Sequence, residues 1–219
     1  ALKDAGITVN HGLLESQAAS QMHPFLHWCK NRKPLVCVKL AVDSNGSVDD
    51  RSEDAGRFTS EGCLDKVHYL RRECDAILVG VDTVIRDNPS LTVRRVESNR
   101  QPLRIVIDPN QRIPKSSKLL NDGLETLVMD EEFRTLPALL NLLGDKEVQR
   151  LMVEGGPTTI GHFLDQGLVD EFYLVQSPQT HVEPVPSNID SKRLLDSGLI
   201  HVSNEQWGEE TVSVWNRKE

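Results

Sequence analysis

Short aliphatic runs recur along the chain, separated by segments in which apolar positions have helical spacing. The longest run, residues 35–42 (LVCVKLAV), is apolar at every position except Lys39. A run without alternation is typical of a strand that is buried on both faces of a sheet. Shorter runs of the same kind predict further strands over residues 75–80, 103–108, 125–129, 148–154 and 172–176.

Several segments between these strands have the pattern of amphipathic helices. Residues 61–73 and 136–143 carry apolar side chains three and four positions apart, and residues 81–85 predict the start of a helix. Strands that alternate with helices predict an α/β fold, with a mostly parallel central sheet flanked by helices. Residues 211–215 (TVSVW) alternate, which predicts an antiparallel strand at the C-terminal edge, and the polar residues 43–57 predict a loop.

The segment before the first buried strand has a different character. Residues 7–9 predict a short strand, and residues 13–30 predict one helix with an apolar face formed by Met22, Phe25, Leu26 and Cys29. We therefore expect a leader over residues 1–31 and one main domain over residues 32–219.

Composition and charge limit the possible partners. The chain has 219 residues, of which 38% are hydrophobic and 26% are charged, as in an ordinary globular protein. Its formal net charge of -8 argues against nucleic acid or an anionic membrane as a general partner, although a local basic pocket for a phosphorylated small molecule is still possible. The spacing of the four cysteines predicts free thiols in a reducing intracellular compartment, the cytoplasm or, in a photosynthetic eukaryote, the plastid.

Residues 151–159 (LMVEGGPTT) combine the end of a strand, a glycine-rich turn and the start of a helix. The two glycines let a ligand approach the main chain, and the two threonines can cap free amides. Such amides, together with the helix dipole, form a site for a phosphate or pyrophosphate. Glu154 would face that site. The alternative is an ordinary strand-to-helix connection with a surface glutamate.

Other polar residues have two interpretations each. Lys39 either lies on an exposed face of its strand or pairs with an acid such as Glu154, because an unpaired buried ammonium is costly. Arg71 and Arg94 could hold a substrate phosphate with their planar guanidinium groups, or they could be solvated. Residues 82–83 form either a second anion site or a plain helix cap. We interpret His68, on a helical face, as structural.

Taken together, these segments resemble the reductase domain of the bifunctional riboflavin-biosynthesis deaminase/reductase. The matching segments, in order, are residues 39–41 (KLA), 70–71 (LR), 75–80 (DAILVG), 83–84 (TV), 87–94 (DNPSLTVR), 104–108 (RIVID) and 154–158 (EGGPT). The pair D-N-P-x-L-T-x-R and E-G-G-P-T is the specific part of this signal. The resemblance covers residues 33–217, and the leader is similar to the end of the deaminase domain and its linker.

The resemblance implies a dihydrofolate-reductase-like fold that binds NADPH, contains no metal and forms a homodimer. The implied reaction reduces the ribosyl side chain of 5-amino-6-(5-phosphoribosylamino)uracil to the ribityl form, before or after the ring is deaminated. The implied catalytic residues are Lys39 and Glu154. The implied cofactor contacts are Val42, Arg57, Thr83, Asp87, Gly156, Pro157, Thr158 and Thr159. The implied substrate contacts are Arg71, Leu91, Arg94 and Glu154.

The chain departs from the family pattern in two segments. A Ser-Leu-Asp-Gly turn is replaced by residues 43–46 (DSNG), and a Ser-x-Trp-Ile-Thr segment by residues 55–59 (AGRFT). The serine that would touch the substrate is thus Ala55, and the tryptophan that would lie along the cofactor is Arg57. Two alternatives to an active reductase therefore remain: a non-catalytic reductase-like domain attached to a deaminase, and a related enzyme that acts on another pterin or pyrimidine.

Two further motifs are missing from the sequence. Zinc-dependent deamination is excluded for this piece, because it contains neither H-x-E nor P-C-x-x-C. No acidic residue follows Gly156 at the spacing that would bind the free 2′-hydroxyl of NADH, which agrees with a preference for NADPH. Arg112, just past a central strand, is the first candidate to contact the 2′-phosphate, although it could equally be a solvated turn residue.

Overall fold

The computed structural model describes residues 1–52, 58–130 and 135–218. The strands in these ranges are β1 (Leu35–Val42), β2 (Ser47–Asp50), β3 (Ala76–Gly80), β4 (Leu103–Ile107), β5 (Thr126–Met129), β6 (Arg150–Val153), β7 (Glu171–Gln176), β8 (Pro184–Pro186), β9 (Leu199–Trp207) and β10 (Glu210–Arg217). The helices are α1 (Glu15–Gln21), α2 (His23–Asn31), α3 (Glu61–Arg72), α4 (Val81–Asp87), α5 (Lys118–Asn121), α6 (Leu136–Asp145), α7 (Pro157–Asp165) and α8 (Ser191–Asp196).

Eight of the described strands form one mixed sheet, in the order β5-β4-β3-β6-β1-β7-β10-β9. The pairings from β5 to β7 are parallel, whereas β10 is antiparallel to both β7 and β9. This order confirms the predicted α/β fold with a mostly parallel sheet and an antiparallel C-terminal edge. The prediction that residues 211–215 form the edge strand was wrong, because β10 lies inside the sheet and β9 forms the edge.

The burial of strand β1 on both faces of the sheet explains why its sequence is apolar without alternation. Val36 and Leu40 belong to the core on one face of the sheet, which α6, α7 and α8 cover. Leu35 and Cys37 belong to the core on the other face, which α3, α4 and α5 cover. Because side chains alternate along a strand, a strand covered on both faces needs apolar residues at odd and even positions alike.

The secondary structure of the leader, residues 1–31, differs from the predicted strand and single helix. Residues 7–9 form no strand, since no described strand pairs with them, and their main chain has only a turn contact through Ile7. The single predicted helix is divided at Met22 into α1 and α2, and Pro24 lies in the first turn of α2, where its missing N–H is tolerated. The apolar side chains of Met22, Phe25 and Leu26 remain 47%, 39% and 45% exposed.

The predicted loop over residues 43–57 also contains a strand. Strand β2 pairs with β8, more than 130 residues later, in a small two-stranded sheet. The carboxylate of Asp50 accepts hydrogen bonds from the main-chain N–H groups of Val182 and Glu183, at 2.8 and 2.9 Å, which holds these segments together. In the described parts of the chain, no helix is both long and apolar enough to cross a lipid bilayer.

Candidate active site

The candidate site lies where the parallel strands of the sheet end. Strand β6 lies between β1 and β3, so residues that follow β6 are close to the ends of both neighbours. Lys39 is inside β1, and Glu154 directly follows β6, where its N–H donates to the carbonyl oxygen of Leu78 at 2.9 Å. Ligands of such sheets bind beyond the carboxyl ends of the strands.

Glu154 is the centre of a buried charge cluster. Its carboxylate lies 3.6 Å from Nζ of Lys39, and it accepts hydrogen bonds from Nε and Nη2 of Arg71 at 2.6 and 2.9 Å. The side chains of Lys39, Arg71 and Glu154 are only 17%, 12% and 8% exposed. The structure therefore confirms that Lys39 pairs with Glu154 instead of lying on an exposed face.

The two cations determine the protonation state of this carboxyl group. Burial alone would raise the pKa of Glu154, but the charges of Arg71 and Lys39 and the hydrogen bonds from Arg71 lower it to about 2. Glu154 is thus a carboxylate at neutral pH. It can hold and orient a cation, but it has no proton to donate.

Arg71, one of the predicted substrate contacts, is bound by protein groups. Two of its nitrogens bind Glu154, and Nη1 donates to the main-chain oxygen of Thr92 at 3.3 Å. The guanidinium is thus directed at protein acceptors, and it connects Glu154 to the loop after α4. A direct contact between Arg71 and a substrate phosphate stays a prediction.

The loop after α4 carries the other two predicted substrate residues. Leu91 is buried and has a φ of +51°, an unfavourable backbone conformation for a residue with a side chain. Arg94 is exposed, and its Nη1 lies 3.5 Å from Oγ1 of Thr92. The main-chain N–H of Arg94 donates to Nδ1 of His68 at 3.2 Å. From the sequence, His68 was interpreted only as structural, and this contact was not predicted. The signal was its spacing: His68 lies one helical turn before Arg71 on α3.

The two strand-to-helix turns of the site lie directly against each other. An added Cβ at Gly80 would lie 2.5 Å from Oγ1 of Thr159, and one at Gly155 would lie 2.8 Å from Cβ of Thr159. Thr159 therefore packs between the two turns. A Cβ at Gly156 would meet no atom within 4 Å, so this side of the turn is open.

The helix start after this turn is suited to an anion. Gly156 is the N-cap of α7, Pro157 lies in the first turn, and no side chain among the described residues caps the amides. The expected capping by Thr158 or Thr159 was therefore wrong. Amides left without a capping side chain at a helix start attract phosphate groups.

The remaining predicted cofactor residues lie at two places around these turns. Val42 is the buried last residue of β1, and Thr83 and Asp87 belong to α4, which follows Gly80. Arg57 lies outside the described residues, as does Ala55.

A cleft of about 600 Å³ lies beside α7. Its lining includes Ile107, Asn110, Met129, Leu139 and His162, so it extends over the ends of β4 and β5. No local sequence pattern predicts this cleft, because its residues come from four separate elements.

Arg112 lies in the loop after β4. Its Nη2 is 2.8 Å from Oδ1 of Asp82, on α4, and both side chains are exposed. This pair joins the β4 loop to the first of the two turns.

Comparison with known proteins identifies the family. Residues 34–181 match the family model of the RibD C-terminal domain. The chain belongs to this family. It is 33% identical over 198 residues to the riboflavin biosynthesis protein RibD of Aquifex aeolicus, an alignment that covers 81% of this chain and 56% of that protein.

A second relative has a higher identity over a shorter alignment. The chain is 37% identical over 177 residues to the 2,5-diamino-6-ribosylamino-4(3H)-pyrimidinone 5′-phosphate reductase of Archaeoglobus fulgidus, covering 67% of this chain and 81% of that enzyme. It spans a little over half the length of the RibD proteins, 56% for Aquifex aeolicus and 54% for Bacillus amyloliquefaciens.

Solved structures confirm the fold of this RibD C-terminal domain. The deaminase/5-amino-6-(5-phosphoribosylamino)uracil reductase of Thermotoga maritima has a TM-score of 0.84 and 24% identity, covering 99% of this chain and 66% of that one. The dihydrofolate reductase of Enterococcus faecalis, complexed with NADP(H), has a TM-score of 0.55 and 12% identity, covering 84% and 97%. The predicted dihydrofolate-reductase-like fold is therefore confirmed.

Proposed function

We propose that this chain is the NADPH-dependent reductase that converts the ribosyl side chain of 5-amino-6-(5-phosphoribosylamino)uracil to the ribityl form in riboflavin biosynthesis. The family and the names of the relatives support this proposal. The observation that carries it is the Lys39–Glu154–Arg71 cluster, which lies beside an open glycine turn at the carboxyl edge of the sheet. That arrangement combines a proton donor, Lys39, with a place for an anionic cofactor.

The residues around the two turns fit a dinucleotide. The uncapped amides of α7 and the open side of Gly156 suit a pyrophosphate, and we assign Gly156, Pro157, Thr158 and Thr159 to it. We assign Val42, Thr83 and Asp87 to neighbouring cofactor contacts, as the family resemblance implies, and the cleft of about 600 Å³ to the adenosine half. When bound, NADPH supplies a hydride.

The side chains of the site supply the proton for this reaction, since the cofactor supplies only the hydride. The ring-opened ribosylamine has a C=N bond, so reduction needs a hydride at C1′ and a proton at the nitrogen. Glu154 is ionised and cannot supply that proton. In our proposal the ammonium group of Lys39 donates it, and Glu154, itself held by Arg71, keeps Lys39 in position. Arg94 binds the substrate phosphate.

A spectrophotometric assay of NADPH oxidation tests this function. The assay offers 5-amino-6-(5-phosphoribosylamino)uracil and, separately, its 2,5-diaminopyrimidinone counterpart, since the names of relatives contain both compounds. We expect turnover of the aminouracil with a ribitylamino product identified by mass spectrometry. Replacement of Lys39→Met should lower turnover by about a hundredfold or more. NADPH binding without turnover of either pyrimidine would contradict the proposal and favour a non-catalytic domain.

We further propose that the enzyme is a homodimer that works in a reducing compartment, the cytoplasm in organisms without plastids. The four cysteines are free thiols, and Cys37, Cys63 and Cys74 are buried. Thiols in this state are typical of compartments that keep cysteine reduced.

A further inference from the structure

One face of α3 runs along the segment that carries Arg94. Positions 61, 65, 68 and 71 are three or four residues apart, so they share this face. Glu61 and Asp65 each bind the guanidinium of Arg95 at 2.6 Å. One turn further on, His68 accepts the N–H of Arg94. Arg71 then donates to the carbonyl oxygen of Thr92.

The same segment is also held by Gln101, in the loop before β4. Its Oε1 accepts the N–H of Val93 at 2.8 Å, and its Nε2 donates to the carbonyl oxygen of Val93 at 2.9 Å. The main chain of three consecutive residues is therefore fixed by side chains of α3 and of Gln101, without any strand pairing in the described structure. Arg94 itself is exposed on this fixed support.

The contact with His68 requires a particular form of the imidazole. Nδ1 can accept the N–H of Arg94 only if it carries no proton. Burial lowers the pKa of His68 to about 4, and the neighbouring charges of Arg71, Arg94 and Arg95 act in the same direction, whereas Glu154 opposes them. At neutral pH the imidazole is therefore neutral, with its proton on Nε2.

We propose that His68 is a positioning residue for substrate recognition: by holding the main chain of Arg94, it places the Arg94 guanidinium against the phosphate of the ribosyl substrate. The inference rests on the proposed function, in which Arg94 meets that phosphate. A histidine that only filled the core would not need an unprotonated nitrogen directed at this one amide.

Kinetics of three forms of the full chain test the role of His68. His68→Leu removes the acceptor, whereas His68→Asn keeps an oxygen near the position of Nδ1. For His68→Leu we expect the KM of the phosphorylated substrate to rise about tenfold, as when a charge-assisted hydrogen bond is weakened. Its kcat and its KM for NADPH should stay within about twofold, because the charge cluster and the glycine turns are unchanged. His68→Asn should restore most of the affinity.

Two controls separate positioning from general damage. The dephosphorylated substrate should show the same kcat/KM with wild type and with His68→Leu, because it lacks the group that Arg94 binds. Lys66→Ala, an exposed change on the same helix, should leave every parameter unchanged. If His68→Leu does not fold, His68→Gln replaces it, since its longer side chain places the amide away from the Nδ1 position.

The outcomes distinguish this inference from the proposed function. An unchanged KM in His68→Leu, or equal losses for the phosphorylated and dephosphorylated substrates, would overturn the role of His68 alone. If wild type reduces neither pyrimidine, the proposed function fails. Calorimetric binding of ribose 5-phosphate then decides the inference: about tenfold weaker binding to His68→Leu supports it, and equal binding overturns it.

Discussion

At the residue scale, the charge balance around Glu154 determines the chemistry of the site. A buried carboxylate is stable only when its charge is compensated, and here Lys39 and Arg71 both compensate it. Removal of that negative charge would leave two buried cations close together. The Lys39 side chain would then lose the partner that holds it.

The change Glu154→Gln keeps the shape of the side chain and removes its charge. We expect turnover to fall by about a hundredfold or more, because Lys39 is no longer oriented, while NADPH binding stays within a few-fold. Steady-state kinetics and a fluorescence titration with NADPH measure the two quantities. Glu171→Gln is the matched control, since Glu171 is a buried carboxylate paired with Arg150 at the start of β7. Wild-type turnover in Glu154→Gln at saturating substrate would rule out the assigned role.

Arg112 is the residue that we expect to select NADPH over NADH. Its pair with Asp82 is exposed, and such pairs are weak, so a 2′-phosphate can compete for the guanidinium. A charge-assisted contact to that phosphate corresponds to a preference of roughly tenfold to hundredfold in kcat/KM. We expect Arg112→Ala to remove most of this preference and Asp82→Asn to keep it.

The two parts of this prediction fail in different ways. Equal kcat/KM values for NADPH and NADH with the wild-type enzyme would refute the cofactor preference itself. A preference that persists unchanged in Arg112→Ala would refute only the role of Arg112.

At the element scale, the contact between the turns β3–α4 and β6–α7 keeps the two helix starts together. Thr159 fills the space between Gly80 and Gly155, so neither glycine has room for a side chain. Gly80 and Gly156 have φ values of -79° and -70°, which alanine also adopts. The two positions therefore differ in the space around them and not in backbone strain.

The change Gly80→Ala should lower the free energy of unfolding by about 1–3 kcal/mol, the cost of overpacking a dense contact. Thr159→Ala in the same chain should recover most of this loss, since the next atom of Thr159 is its Cβ at 3.8 Å. Gly156→Ala, with open space at its Cβ, is the control and should be close to wild type. Urea denaturation measures all four proteins, and equal stability of Gly80→Ala and Gly156→Ala would show that the contact is loose.

At the scale of the whole molecule, the leader and the edge strand β9 both expose apolar side chains. In the leader, Leu13 and Leu14 are 87% and 61% exposed. On the edge strand β9, Ile200 and Val202 are 45% and 54% exposed. An edge strand with unpaired main-chain groups can pair with a second copy of itself.

We expect a homodimer that forms through the sheet, with about 1,600 Å² of surface buried in total. Light scattering at tens of micromolar should give twice the 24.6 kDa mass of one chain. Val202→Lys should weaken the dimer, because two copies would bring like charges together at the edge, whereas Phe25→Ser in the leader should not. A monomer mass for the wild-type chain would contradict the prediction.

Much of the fold and part of the site followed from local sequence patterns. The prediction of a strand over residues 35–42 was correct because a strand covered on both faces has a continuous apolar run, whichever strands lie beside it. The turn after Glu154 was recognisable because two glycines allow a close approach to the main chain and the proline fixes its own φ at a value suited to the start of a helix. The Lys39–Glu154 pair was predictable because a charge in an apolar strand requires a partner.

The tertiary structure decided what depends on distant segments. Strand β9 has mostly exposed residues, so its apolar pattern is weak, and only its pairing with β10 defines it. The hydrogen bonds of Arg71, on α3, to Glu154, after β6, join positions 83 residues apart. The contact of His68 with Arg94 joins positions 26 residues apart. Residue type and spacing determine which groups need partners, whereas the path of the chain determines which partners they meet.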